Sequence, residues 1–226
     1  MFRLTRLFPL FALVGCAGSV QVEDIDPFGA AASAVWFHWD DSDYDSLLLT
    51  NVMGACGKWQ AYAEASKELD DAVEDMDEND YCEDAKEPSL AVARIANDLF
   101  HEGTHMLALT VYEDGSTEPE EETYEVGDPR QALGGTVTYY GASPYAAILA
   151  DWDEDEDWED NCGIDTDDLD ADIDSWSLSD GELELLSVKD EGAAAGALEA
   201  ELVDEDGDRD GDISARFTAT WCEVDL

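Results

Sequence analysis

The sequence predicts an α+β protein that is mainly β: an antiparallel β-sandwich or open barrel with two helices inserted in the N-terminal half. Two observations support this prediction. Apolar residues recur at helical spacing in the first half of the chain, and they alternate in steps of two through most of the second half. Seven Trp, eight Tyr and seven Phe supply the core material of a folded chain. Because no repeat of fixed period is visible, residues 33–226 are predicted to form a single acidic β-rich domain.

Two helices are predicted before residue 101. The first covers 58–76, where one stripe of side chains recurs at steps of three and four residues: Trp59, Tyr62, Ser66, Leu69, Val73 and Met76. Acidic residues occupy the opposite face of this helix, so the stripe is predicted to pack on a core. The second helix covers 89–100 and follows Pro88, because proline fits the first turn of a helix.

Strands account for most of the remaining pattern, and eight are predicted: 33–39, 46–51, 104–112, 132–140, 145–152, 182–188, 194–203 and 212–224. The last strand alternates most clearly, with Phe217 and Trp221 on one face and Arg216 and Thr220 on the other. The acidic stretch 151–174 is too polar to pack as an ordinary element and is predicted to be a loop.

The N-terminus has the layout of a secretory signal, with Arg3 and Arg6 before an apolar run at 7–14. This run is far shorter than the roughly 20 residues that span a bilayer. Residues 13–16, Leu-Val-Gly-Cys, resemble the bacterial lipobox, in which the cysteine becomes the lipidated first residue of the mature protein. The resemblance implies a signal peptide at 1–15, and a lipidated Cys16 that begins a small and polar tether, 16–32.

A lipobox also implies an address in the cell envelope, with the membrane as a partner through the lipid anchor. Ala17 follows the cysteine where Asp would favour retention, so by analogy with enterobacterial sorting we expect the outer membrane more than the inner one. The overall plan loosely resembles envelope lipoproteins of myxobacteria-like species, in which a cysteine-linked helical segment precedes strands that end near a final cysteine. That resemblance implies no particular activity.

Four cysteines remain after Cys16, and an even number in an oxidising compartment predicts two disulfides. Four cysteines allow three pairings. We favour Cys56–Cys82 and Cys162–Cys222, because each pair then lies within one half of the chain. No CxxC pair is present, so zinc binding through these cysteines is not expected.

The net charge of the chain indicates which classes of partner its surface attracts or repels. The formal net charge is −48, and loss of Arg3 and Arg6 with the signal lowers it to −50. Such a surface repels nucleic acid and attracts cations or a basic protein partner. Dense carboxylates with few basic residues resemble a halophilic or marine proteome, and a specific role in binding cations is the alternative interpretation.

Residues 101–105, His-Glu-Gly-Thr-His, match the HExxH pattern of zinc peptidases. On that resemblance, His101 and His105 would bind zinc from one helical face with Glu125 as the third ligand, and Glu102 would act as the general base. The alternative is the end of a helix, because the glycine in the motif disfavours a helix interior by about 1 kcal/mol relative to alanine.

Residues 206–214 resemble the calcium loop of an EF-hand, with Asp206, Asp208, Asp210 and Asp212 as candidate ligands for Ca²⁺. Phe217 occupies the twelfth position, where the pattern requires a bidentate glutamate. Strands are predicted on both sides, so a calcium loop within a β-hairpin, or simply an acidic hairpin tip, is expected in place of an EF-hand.

The acid run 151–160 contains Trp152 and Trp158, which could contact a sugar face or a basic peptide, while the acids could collect cations weakly. A solvated loop is the plainer interpretation. Taken together, the sequence predicts a lipid-anchored extracytoplasmic lipoprotein with a non-enzymatic binding or structural role in the cell envelope. No cofactor is required by this prediction, although Ca²⁺ is compatible with it. A zinc-dependent metallopeptidase that uses the 101–105 motif is the alternative.

Overall fold

The computed structural model of the protein describes eight stretches of the chain: 18–22, 30–38, 44–74, 81–113, 122–126, 131–151, 172–188 and 193–223. The predicted signal peptide and Cys16 lie outside these residues, as do Cys162 and most of the acid run. Among the described residues, no helix has both the length and the apolar character needed to cross a membrane.

The described residues form ten strands and three helices. In chain order these are β1 Gly18–Val22, β2 Ala30–Ala31, β3 Ser33–His38, β4 Tyr44–Thr50, α1 Ala55–Glu74, α2 Tyr81–Leu99, β5 Thr104–Glu113, β6 Thr123–Val126, β7 Gln131–Tyr140, α3 Pro144–Asp151, β8 Ile173–Val188, β9 Ala193–Val203 and β10 Arg209–Glu223. The predicted class, α+β and mainly β, is confirmed.

Seven of the strands pair in a closed circuit. The order is β3, β4, β5, β7, β8, β9 and β10, and the C-terminal part of β10 then pairs with β3. A ring with an odd number of strands cannot alternate direction throughout, and the pairing of β10 with β3 is the parallel one. β6 lies between β7 and β8, while β1 extends the sheet beside residues 213–217 of β10.

One face of each strand points to a common apolar core. The two-residue alternation places Ala34 and Trp36 of β3 in this core, while Val35 and Phe37 point to the opposite face. Full burial of one Leu, such as Leu107, stabilises the fold by roughly 1.5–3 kcal/mol. The largest fully buried side chains include Tyr124, Leu47, Leu49, Leu107, Leu109, Leu183, Leu185, Leu198 and Leu202.

A second apolar cluster lies on the outer face of β3, β4 and β5, where the helices cover the sheet. Val35, Phe37 and Leu48 pack there beneath Trp59 of α1 and Phe100, which follows α2. The rings of Phe37 and Phe100 both approach Trp59 edge-on, with centroids 6.1 and 5.8 Å away. Of the stripe predicted on the first helix, Trp59 lies in this cluster and Tyr62 approaches its ring edge-on, with centroids 5.7 Å apart, while α1 as a whole packs chiefly on α2. Met76 lies outside the described residues.

A disulfide between Cys56 and Cys222 joins the first turn of α1 to the end of β10 across 166 residues. The favoured pairings, Cys56–Cys82 and Cys162–Cys222, are therefore wrong. Their premise was that each bond lies within one half of the chain, but the pairing of β10 with β3 carries the last strand under α1. Cys82 lies in α2. Its disulfide stays a prediction, and Cys162 is the cysteine left to pair with it.

Several predicted elements differ from the structure. Strand β8 begins at Ile173, inside the loop predicted at 151–174, and β6 at Thr123–Val126 was not predicted. Residues 145–152, predicted as a strand, belong to helix α3, whose start is capped where the Ser143 hydroxyl accepts a hydrogen bond from the Tyr145 N–H at 3.3 Å. The tether predicted at 16–32 includes strand β1, and Val20 is buried in the main core. Pro88 lies inside α2 and not at its start, since the helix already begins at Tyr81.

Burial raises the pKa of Tyr140 and of Tyr145 above the ordinary value of 10.0, and a second tyrosine close to each adds to the effect. Because these pKa values are higher in the folded state, the stability that they contribute is complete below pH 10 and is lost as the pH rises through the raised values. We therefore expect the free energy of unfolding to be flat between about pH 8 and pH 9.5 and to fall above about pH 10. Urea titrations at each pH measure the free energy of unfolding, and Tyr140→Phe should make its fall above pH 10 shallower. An equally steep fall in that variant would contradict the assignment.

Candidate functional site

The HEGTH motif forms the turn that ends α2. The last helical hydrogen bond runs from the Phe100 N–H to the Ala96 carbonyl at 2.8 Å, and Gly103 then adopts a positive φ of 80°. The Asn51 side chain holds this turn, because its amide donates to the Gly103 carbonyl at 2.8 Å and its carbonyl accepts from the His105 N–H at 2.9 Å. Residues 101–105 are thus a helix-to-strand connection, as the alternative interpretation expected.

The structure does not bring the predicted zinc ligands together. His101 is exposed in the turn, whereas His105 lies on β5 with its ring 4.7 Å from that of Tyr139 on β7. Glu125 pairs with Ala132, seven residues from Tyr139 along β7, which corresponds to about 23 Å. The prediction of a shared zinc site is wrong, because the second histidine begins a strand and does not continue the helix. Glu102, the predicted base, is exposed in the same turn.

The predicted calcium loop is the hairpin between β9 and β10. Its tip is organised by Asp204, whose Oδ1 accepts hydrogen bonds from the N–H groups of Asp206 and Asp208 at 3.0 and 2.9 Å. Asp210 accepts a bond from Trp176 Nε1 at 2.6 Å, and Asp212 accepts one from Arg209 at 2.7 Å.

The four predicted calcium ligands are therefore not assembled around a common point. Two lie at the exposed tip and two are engaged by donors of the protein itself. Across the residues that the structure describes, no group of three or more His, Cys, Asp or Glu is placed to hold a metal ion. The predicted hairpin is present, but its loop does not gather the four aspartates as the calcium loop of an EF-hand does. Of the acid run 151–160, the structure describes only Asp151, so the roles considered for Trp152 and Trp158 stay predictions.

Acidic side chains gather instead on the outer face of β6, β8, β9 and β10, in a surface that we call the acidic wall: Glu125, Asp180, Glu182, Glu184, Glu199, Glu201 and Asp212. The buried residues Leu183 and Leu198 point the other way on these strands, which fixes the acids on the outside.

The register places acids directly opposite one another. Glu182 lies between Glu125 and Glu199, and Glu201 lies between Asp180 and Asp212. Directly opposed side chains have Cβ atoms about 4.5–5.5 Å apart, where like charges destabilise a sheet. The salt bridges described on the wall both use Arg209, which lies 3.2 Å from Glu201 and 2.7 Å from Asp212.

The sequence predicted β9, β10 and the second half of β8, but neither β6 nor the wall that these strands form together. Two of its members were assigned elsewhere, Glu125 to zinc and Asp212 to calcium, while Glu182 and Glu199 were assigned no role. The two-residue alternation of β8 and β9 was a readable signal, because it placed their acids on one face. Which acids face each other depends on the register between strands, and that is set by the fold.

Comparisons of the chain with protein-family models, with curated proteins and with solved structures found no match. The site is therefore characterised by its own geometry: a closed circuit of strands, a disulfide from α1 to the last strand, and a wall of opposed carboxylates.

We expect the melting temperature to rise with NaCl and more steeply with CaCl₂, because cations screen the opposed acids. Glu182→Gln relieves repulsion from two neighbours at once, so it should raise the free energy of unfolding at low salt by about 0.5–1 kcal/mol. The gain should disappear near 1 M NaCl, where the Debye length is about 3 Å.

Glu64→Gln on α1 is the matched control for this neutralisation. Glu64 is exposed and has Lys67 three residues and Glu68 four residues further on, so the attraction and the repulsion that it loses offset each other and its loss should bring no gain. Thermal melts across both salt series measure the effect. Equal responses of the two variants would show that net charge alone, and not the register of the wall, determines the salt dependence.

Proposed function

We propose that the protein is a lipid-anchored extracytoplasmic lipoprotein of the cell envelope, held by Cys16 in the outer membrane, with a non-enzymatic role in binding. Its folded domain presents the acidic wall to cations or to a partner with a basic surface. The lipobox at residues 13–16 supports the address, and the opposed carboxylates support the chemistry of the partner.

The Cys56–Cys222 bond is the observation that best supports the proposed location outside the cytoplasm. Disulfides persist in oxidising compartments and are rare in the reducing cytosol. The bond connects elements that are far apart in sequence, and Cys222 is buried, so the pair belongs to the folded core and not to a surface loop. A domain built around such a bond fits the compartment to which the secretory signal would deliver it.

Binding through the wall follows from electrostatics. Acids at opposed positions create a negative potential that exceeds that of isolated surface carboxylates, and this potential speeds the approach of a basic partner. A row of carboxylates on rigid strands also keeps its spacing, because both neighbouring strands fix each position. The chemistry that such a surface recognises is a cluster of Lys and Arg side chains, or several cations in solution.

Metabolic labelling with a palmitate analogue in the producing cell tests the address. The wild-type chain should carry the label and fractionate with membranes, whereas Cys16→Ser should lose the label and leave the membrane fraction. Mass analysis of the purified protein should find Cys16 as its first residue. Recovery of an unlabelled chain that retains Met1 in the aqueous cytosolic fraction would overturn the proposal.

A decalysine peptide tests the wall as a binding surface. The double variant Glu182→Gln with Glu199→Gln should weaken binding of the peptide at least 5-fold at about 50 mM salt, which corresponds to about 1 kcal/mol. The matched control, Glu64→Gln with Glu68→Gln, removes the same charge from the exposed face of α1. Equal weakening in both double variants would assign the binding to net charge and reject the wall.

A further inference from the structure

Four polar side chains form a row across one end of the strand circuit, where β4 ends and β5 begins. His105 of β5 pairs with Tyr139 of β7, and Tyr139 pairs with Asp174 of β8. Asn51, which directly follows β4, continues the row because its N–H donates to the His105 carbonyl at 3.4 Å. We call Asn51, His105, Tyr139 and Asp174 the polar row. Since neighbouring strands are about 4.8 Å apart, one small molecule can contact several members of the row.

The polar row points to the core side of the sheet. Leu49, Leu107 and Val137 each lie two residues from a member of the row, and each is at most 1% exposed in the main core. Side chains alternate between faces, so a spacing of two residues places the row on the same face as these core residues. Solvent reaches the row, because its rings are only partly buried and its carboxylate is exposed. The row thus lies over an apolar floor at the end of a closed sheet, where ligand sites are common.

The imidazole of His105 is held in one orientation. Its ring centroid lies 4.7 Å from that of Tyr139, and its Nδ1 lies 3.1 Å from the Gly103 carbonyl oxygen. A carbonyl oxygen only accepts hydrogen bonds, so Nδ1 carries the hydrogen, and in the neutral ring Nε2 is then an acceptor. The Asn51 side chain bonds both the Gly103 carbonyl and the His105 N–H, so it fixes the turn and positions the histidine.

Trp176 extends across the same end of the circuit. It lies two residues from Asp174 on β8, packs against the main core, and donates from Nε1 to Asp210 at 2.6 Å. Asp210 is the extra residue of a bulge in β10, two strands away from β8. Trp176 pairs with Val137, so it lies diagonally opposite Tyr139, a distance within reach of aromatic side chains. Two aromatic residues therefore neighbour Asp174.

The chemistry of these groups favours a cation that has an apolar part. The His105 Nε2 and the Asp174 carboxylate accept hydrogen bonds, and aromatic faces attract ammonium groups. Arg209 points outward to the acidic wall and brings no positive charge to this face. A bare metal ion fits less well, because no group of three or more His, Cys, Asp or Glu among the described residues is placed to hold one. An organic ammonium ion is the class of ligand that uses the carboxylate, the rings and the apolar floor together.

We propose that the polar row binds a small organic ammonium ion, with its nitrogen beside Asp174 and its apolar part against the Tyr139 ring. The net charge of the chain, −48, concentrates cations at its surface and favours their approach. This inference is independent of the proposed lipid anchor. It is also separate from the acidic wall, because on β8 the row points to the core side whereas the wall points outward.

Titration with benzylamine, an alkyl amine that is protonated at about pH 7, tests the site. At about 0.5 M NaCl the long-range attraction to the net charge is largely screened. Benzylamine should bind the purified full-length protein at least about 5-fold more tightly than benzyl alcohol, its uncharged analogue. In NMR spectra the imidazole resonance of His105 should move during the titration, while that of His101, exposed in the neighbouring turn, should move far less. A His105 resonance that stays fixed, or equal affinity for the two probes, would overturn the proposal.

Substitutions assign the contacts. Asp174→Asn should weaken binding of benzylamine at least about 3-fold, whereas the matched control Glu184→Gln, which removes an exposed acid from the outer face of the same strand, should leave the affinity unchanged. Tyr139→Leu removes the ring and should also weaken binding at least about 3-fold, while Tyr139→Phe keeps the ring and should retain the affinity. Circular dichroism establishes that each variant folds. Equal weakening by Asp174→Asn and Glu184→Gln would assign the binding to net charge and reject the site.

The polar row and the acidic wall are tested separately by the double variant Glu182→Gln with Glu199→Gln. This variant should keep the wild-type affinity for benzylamine although it loses affinity for decalysine, because its substitutions lie on the opposite face of the sheet. A parallel loss of both affinities would show that benzylamine responds to the charge of the outer surface, and would reject the polar row as its site.

Discussion

Replacement of Cys56 and Cys222 by alanine is expected to lower the free energy of unfolding by about 3–5 kcal/mol. The bond closes a loop of 166 residues, so its loss greatly increases the conformational entropy of the unfolded chain. Folded domains of this kind are stable by only about 5–15 kcal/mol, so the loss is a large share of the total. Alanine is the better replacement than serine, since Cys222 is buried and a hydroxyl there would need a hydrogen-bond partner.

Urea unfolding under non-reducing conditions measures this loss. The wild-type chain in reductant is the comparison: it lacks the same bond without any change of side-chain volume, and reductant also breaks any bond that Cys82 forms with Cys162. The double alanine variant without reductant should unfold at a midpoint at or above that of the reduced wild type. A difference of less than about 1 kcal/mol between the oxidised wild type and the double variant would contradict a stabilising role for the bond.

Gly181→Ala is the second substitution with a large expected effect, a loss of about 3 kcal/mol or more. Gly181 has a φ of +136°, a region that side-chain-bearing residues rarely adopt. A Cβ at this position would lie 2.4 Å from both the Ala200 Cα and the Glu199 carbonyl oxygen. Because backbone atoms of β9 are in the way, relief requires β8 and β9 to separate.

Gly134→Ala is the matched control for this substitution. Gly134 also lies in a strand, β7, but an added Cβ there would meet no atom within 4 Å. It should therefore change the free energy of unfolding by less than about 1 kcal/mol in either direction. Chemical denaturation of both variants provides the comparison. If Gly181→Ala proved as mild as Gly134→Ala, the close approach of β8 and β9 at this glycine would be wrong.

Single elements with a clear periodic pattern could be predicted from the sequence. The helix predicted at 58–76 is α1 at Ala55–Glu74, and the strand predicted at 212–224 is β10 at Arg209–Glu223. Both patterns are long enough that a helical or two-residue repeat is unambiguous. At 145–152 the apolar run is short and satisfies either repeat. Pro144 and the Ser143 cap are the local signals that favoured the helix.

The candidate sites were less predictable, because their residue spacing in sequence matched motifs whose backbone was absent. HExxH needs one continuous helix, but α2 ends at Leu99, before the motif, and Gly103 then turns the chain into β5. A calcium loop needs its carboxylates to converge, and the strand that starts at Arg209 carries Asp210 and Asp212 away from the tip. In both cases residue identities satisfied the pattern while the chain direction did not.

The sequence by itself determined the class of fold, most of its elements and the excess of acids, because each is a property of neighbouring residues or of composition. The secretory signal with its lipobox stays a prediction. Tertiary structure alone decided that Cys56 bonds Cys222, that β1 joins the sheet two residues after Cys16, and that Glu182 lies between Glu125 and Glu199. Each of these depends on which strands pair and in what register. Residues far apart in the chain set that register jointly, when they bury one common core.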